Sequence, residues 1–205
     1  MKKVLKVVGI SILVVLVLFM IHAIRNYIIL SKINENVAKY VESNNMYMKT
    51  ESDQVNVNYY RKDDKEVAIM NKDNIKMSNY KIGEKNDQFV ETGESKTAKL
   101  NLGSMTVQVA NIAKFDTKWQ RFMLGSVAFI RSKNYKDKAC YVIDNLISPY
   151  FLVGDKCQYT VEKDTGLLLK ETTDGIVYER EYEFNKVEDS VFIEPDINEY
   201  IIQEN

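Results

Sequence analysis

Few residues in this chain could do chemistry. Among 205 residues there is one histidine, His22, and two cysteines, Cys140 and Cys157. A Ser-His-Asp or Cys-His nucleophile needs an imidazole within hydrogen-bond reach. His22 stands at the far end of an apolar run, so no such arrangement can form in the rest of the chain. There is no phosphate-binding G-x-x-x-x-G-K-[ST] loop, no H-E-x-x-H and no EF-hand pattern. Asp63-Asp64 and the set Asp137, Asp144 and Asp155 have the oxygen chemistry a hard cation needs, but they stand in hydrophilic stretches where carboxylates are ordinarily solvated. No carboxylate pair is singled out for glycoside hydrolysis. The expectation is a protein with no catalytic residues, no metal and no cofactor.

The position of His22 leads to the element that holds it. The chain opens MKKVLKVVGISILVVLVLFMIHAIR, with Lys2, Lys3 and Lys6 ahead of an uncharged stretch from Val7 to Ile24. With Val4 and Leu5 this reaches roughly 20 residues, enough to cross about 30 Å of hydrocarbon. Residues 1–6 read as a basic cytoplasmic tip, 7–24 as a membrane anchor and 25–205 as an extracytoplasmic domain, because lysines flank the cytoplasmic end of a span. A cleaved secretory signal shares the basic start, but its apolar core is shorter, roughly 7–15 residues, and ends in a small-x-small site that Ile21-His22-Ala23 does not supply. The expected location is the cell membrane, crossed once.

Composition sets further bounds. The chain is 45% hydrophobic and 28% charged, with two prolines and eight glycines, a globular composition with a substantial core. Setting aside Lys2, Lys3 and Lys6, the charges left are 25 basic and 29 acidic, net −4. Nucleic-acid affinity is carried largely by Lys/Arg contacts to phosphates, so nucleic acid is not an expected partner.

Downstream of the apolar run, residues 28–42 place Ile29, Ile33, Val37, Tyr40 and Val41 at helical spacing. No glycine or proline separates them from the anchor, so the helix either continues or turns at Arg25-Asn26. From residue 47 to about 112 short, alternating, β-rich stretches are broken by Lys62-Asp63-Asp64, Lys72-Asp73-Asn74, Gly83-Glu84-Lys85-Asn86 and Gly93-Glu94-Ser95, the pattern of an antiparallel meander. Residues 116–133 then read as one inserted helix. Trp119, Phe122, Met123, Val127 and Ile130 form its apolar stripe, and Gly125 is its weak point. Strands return from residue 138. In an extracytoplasmic compartment two cysteines can pair. If their strands pair about a centre between Ser148 and Pro149, Cys140 and Cys157 fall opposite each other, within disulfide range. The alternative is two buried free thiols.

The second half has a further order. An aromatic-x-hydrophobic strand (Tyr159, Val161) is followed by Asp164-Thr165-Gly166-Leu167, then Leu169-Lys170, an aromatic strand ending at Phe184, and Phe192 before Pro195. Over 155–196 this resembles the LolA-like superfamily of lipoprotein carriers and sigma regulators found in bacterial envelopes. The resemblance implies a mainly β fold with helices: a strongly curved antiparallel sheet or half-barrel with amphipathic helices on its concave face. It also implies a binding module that holds lipid or a lipidated partner in an apolar groove, lined here by Trp119, Phe122, Met123, Val127 and Ile130. The alternative function is an envelope docking or sensing protein with no small-molecule ligand.

Overall fold

The computed structural model describes residues 2–41, 43–102, 117–145, 157–173 and 175–203. The mainly β expectation with helices holds. The described elements belong to two units: one contains helices α1 (Lys2–Val41) and α2 (Lys118–Val127) with strands β7 (Phe129–Tyr135), β8 (Lys138–Asn145), β9 (Cys157–Glu162) and β10 (Leu168–Thr173). The other contains β1 (Asn45–Glu51), β2 (Asn56–Lys62), β3 (Lys65–Lys72), β4 (Ile75–Ile82), β5 (Lys85–Glu91), β6 (Lys96–Lys99), β11 (Ile176–Phe184) and β12 (Ile201–Ile202). The expected strand at 105–112 lies outside the described residues.

α1 is a single unbroken helix of 40 residues. From Val7 through Ile21 its apolar side chains are all exposed, and the helix is long and apolar enough to cross a membrane. The burial pattern then changes within one turn. Ala23, Asn26, Leu30, Ile33 and Val37 are buried, an alternating three-four spacing that puts one stripe against the sheet. Two residues expected on that stripe, Ile29 and Tyr40, are only half-buried at its margin.

The unit around α1 has an antiparallel sheet in the order β7-β8-β9-β10. Leu30 and Ile33 of α1 and Leu124 of α2 share a core with Ala128, Ile130, Ile143, Val161 and Leu168. The turn Asp164-Thr165-Gly166 precedes β10, and Gly166 has φ +72°, as its sequence context predicts. A Cβ there would meet Ile33 O, Val37 N at 2.8 Å and Val37 Cβ at 3.1 Å, so the turn lies directly on the α1 backbone. Asn36 Nδ2 donates to Lys163 O at 3.1 Å beside it. Leu167, Leu168 and Leu169 are all buried. Strict alternation fails there because the β9–β10 register shifts between Leu168 and Lys170.

Two expectations about this unit are corrected. The helix at 116–133 ends at Val127 and the chain re-emerges as β7, so Ile130 is a strand residue. Cys140 sits opposite Glu162 and Cys157 opposite Asn145; the cysteines are far apart in register, and both are free thiols. The pairing of β8 with β9 is centred further along the chain than Ser148-Pro149.

The second unit runs β12-β6-β5-β4-β3-β2-β1-β11, antiparallel throughout except for the parallel β12–β6 edge. Tight turns carry it, with left-handed φ at Asp63, Asp73 and Gly83. Its core gathers Val67, Tyr80, Phe89 and Ala98 under Val187, Phe192 and Tyr200 of the chain that follows β11.

Candidate functional site

The site begins where α1 changes from bare to buried. Gly125 of α2 packs there: a Cβ on it would stand 3.0 Å from Tyr27 N, 3.2 Å from Ala23 O and 3.3 Å from Asn26 Cβ. Gly125, expected to be a weak point, is instead what lets the two helices meet backbone to backbone. The last carbonyls of a helix have no partner within it. Asn26, fully buried, supplies one: its Nδ2 donates to Gly125 O and to Ala128 O, both at 2.9 Å. Both amide hydrogens are then used. His22 Nε2 lies 3.1 Å from Ala128 O and 3.0 Å from Asn26 Nδ2, so the tautomer protonated at Nε2 donates to the same carbonyl. His22 is thus part of the polar contact between α2 and α1.

Beside this junction an open cleft of about 610 Å³ is lined by Ile21, Ile24, Arg25, Ile28 and Ile29 of α1, Ser132 of β7 and Tyr141 of β8. That volume lies within the range of small-ligand sites, about 300–1,000 Å³. Four isoleucines and the Tyr141 ring make it mainly apolar. Two cations flank it. Arg25 is exposed, with Nη1 3.5 Å from Ile130 O. Lys163 Nζ donates to Ser132 Oγ at 2.9 Å and stands 4.8 Å from the centre of the Tyr141 ring. The nearby Asp144 carboxylate is already engaged, by Arg131 at 2.9 Å and by Gln158 at 2.5 Å. Chemically the cleft offers an apolar wall with cationic groups at its margin.

None of the five residues expected to line a groove lines this cleft. Ile130 is in the core. Trp119 is 67% exposed and stacks on the half-buried Phe122, with centroids 6.0 Å apart. Met123 is half-buried and Val127 is exposed. The residues that do line the cleft were missed because they sit on three elements and no spacing connects them. Asn26 offered one signal: a polar residue at a core position of the α1 stripe must have a polar partner. Among the described residues, no three of His, Cys, Asp and Glu gather as a metal would require.

No protein family matches the chain, and no curated protein matches it. Among solved structures, the complex of Pseudomonas aeruginosa MucA and MucB is similar at 13% identity and a TM-score of 0.35, covering 78% of this chain and 59% of that one. MucB in complex with MucA(peri) is similar at the same identity and TM-score, with 58% of that chain covered. This chain therefore spans somewhat under two thirds of the solved chains it matches, and the likeness is distant.

Proposed function

We propose that this chain is a single-pass, membrane-anchored extracytoplasmic binding module whose cleft takes the acyl chain of a lipid, or of a lipid-bearing partner, directly from the bilayer. The observation that carries this reading is the location of the cleft. It is lined by the last residues of the apolar run and the first turns of the buried stretch of α1, so with α1 as a membrane anchor it opens at the bilayer edge. A chain entering there never crosses water. The basic tip of Lys2, Lys3 and Lys6 supports an N-terminus on the cytoplasmic side.

Moving an acyl chain from bilayer to cleft exchanges one apolar setting for another and gains almost nothing from the hydrophobic effect. Selectivity then rests on the head group. One charge-assisted contact to Arg25 or Lys163, worth about 1.5 kcal/mol, corresponds to roughly tenfold preference for anionic over zwitterionic lipid. Titration of the detergent-solubilised full chain with a fluorescent anionic acyl lipid tests this. Saturable binding that competes with unlabelled anionic lipid and is lost in Ser132→Trp, which fills the cleft, supports the reading. Non-saturable partitioning indifferent to Ser132→Trp contradicts it.

A second reading, docking of a protein with no small ligand, draws on a different observation. Ile193, Ile197, Ile201 and Ile202 are all exposed within one short C-terminal stretch.

A further inference from the structure

The outward stripe of α2 is unusual for a helix in a folded unit. Leu124 and Gly125 are its buried residues. At 100° per residue, Trp119, Phe122, Met123 and Val127 fall on the opposite side of the helix. On that side Trp119 and Val127 are exposed and Phe122 and Met123 are half-buried, and Phe129, just beyond the helix, is 55% exposed.

The junction with α1 fixes where this stripe stands. Gly125 rests on Ala23, Asn26 and Tyr27, immediately past the exposed apolar run. Ala128 O, one residue before Phe129, is held by His22. Trp119 is six residues from Gly125, about 9 Å along the helix axis. The polar layer on each side of a bilayer is about 5–8 Å deep. If α1 spans the membrane, the stripe stands at the level of the lipid head groups. Lys118 borders the stripe, and α2 carries no acidic residue. Aromatic rings with a cation beside them are what the interface favours.

We infer that α2 is an interfacial helix: Trp119, Phe122, Val127 and Phe129 embed in the head-group region of the leaflet that α1 enters, and the occupant of the stripe is the lipid surface itself. This rests on the anchor reading but not on the cleft binding an acyl chain. It gives α2 the task of holding the unit at a fixed depth and keeping the cleft mouth in the bilayer edge.

Trp119 is the only tryptophan in the chain, so its fluorescence reports on this helix alone. The full chain is reconstituted in phosphatidylcholine–phosphatidylglycerol vesicles, with α1 insertion checked separately by resistance to alkaline carbonate extraction. The expected result is blue-shifted emission, quenched strongly by lipids brominated near the head group, weakly by lipids brominated at the chain ends, and little by aqueous iodide. In Phe122→Asp/Val127→Asp, with Trp119 retained, emission shifts to the red and bromolipid quenching falls. Water-like emission fully open to iodide, in wild-type protein that resists carbonate extraction, overturns the inference and leaves the anchor reading standing. Complete carbonate extraction overturns both.

Discussion

Replacing Gly166 by alanine tests whether the turn before β10 is a contact with α1 or merely a bend. Two costs arise at this position. The first is conformational: an L-residue at φ +72° is strained by about 1–2 kcal/mol, partly offset by the lower entropy of alanine in the unfolded chain. The second is steric. The added methyl would stand 2.8 Å from Val37 N and 3.1 Å from Val37 Cβ, and closer still to the Ile33 carbonyl. These are mostly backbone atoms of a helix whose Leu30, Ile33 and Val37 are buried, so α1 cannot retreat without opening the core. Overpacking of this kind costs about 1–3 kcal/mol, and rigid neighbours put this case near the top. The expected total is about 3–4 kcal/mol. Gly175 is the internal control, with φ +81° and nothing within 4 Å of the point where an added methyl would stand. Gly175→Ala carries the first cost alone, about 1 kcal/mol. Urea unfolding of both variants in mild detergent, followed by far-UV circular dichroism, measures the difference. Equal losses in the two variants would refute the packing argument.

Other perturbations follow from the same contacts. Asn26→Leu removes the donor from Gly125 O, while Ala128 O keeps His22 beside it; at about 1–3 kcal/mol for the one buried carbonyl left unpaired, hydrogen exchange in Lys118–Val127 should rise while that in β8 and β9 changes little. Alkylation under non-reducing conditions should modify both cysteines, Cys157 first, because burial pushes the Cys140 thiol up and leaves it less reactive; a mass two hydrogens short would restore the disulfide. Tyr200 Oη donates to Glu91 Oε1 at 2.7 Å, and that bond leads in holding the Glu91 carboxyl below its usual value. A depressed carboxyl contributes stability above its unfolded pKa and loses it as pH falls through the folded one, so Tyr200→Phe should cost about 1 kcal/mol at neutral pH, and the gap should narrow below about pH 4.5; a gap independent of pH would contradict the assignment.

What could be read in advance followed local rules. Alternation and turn residues placed β1 to β5 well, since Asp63, Asp73 and Gly83 mark two-residue loops that only a few residue types adopt comfortably. The long apolar start and the amphipathic stretch after it were legible as helix, and their fusion into one α1 was an open alternative. The misreadings are tertiary. A stripe at 119, 122, 123, 127 and 130 fits helical spacing, but spacing cannot say that the backbone turns extended at Ala128, nor which way the stripe faces. Gly125 looked like a flaw because a helix alone gains nothing from it; its use appears only with α1 alongside. The cysteine register depended on the connection between β8 and β9, whose symmetry no local rule fixes. The cleft was illegible for the same reason, because Arg25, Ser132 and Tyr141 meet only once the sheet has formed.

The central claim is that an acyl chain leaves the bilayer for the cleft, and photo-crosslinking tests it most directly. The full chain in vesicles containing an anionic lipid with a diazirine in its acyl chain is irradiated, and the adducts are mapped by peptide mass spectrometry. Adducts on Ser132 or Tyr141, in addition to those on residues 7–24, and their loss in Ile28→Trp, are the predicted result. Adducts confined to the apolar run of α1, with Ser132 and Tyr141 unlabelled, would contradict it.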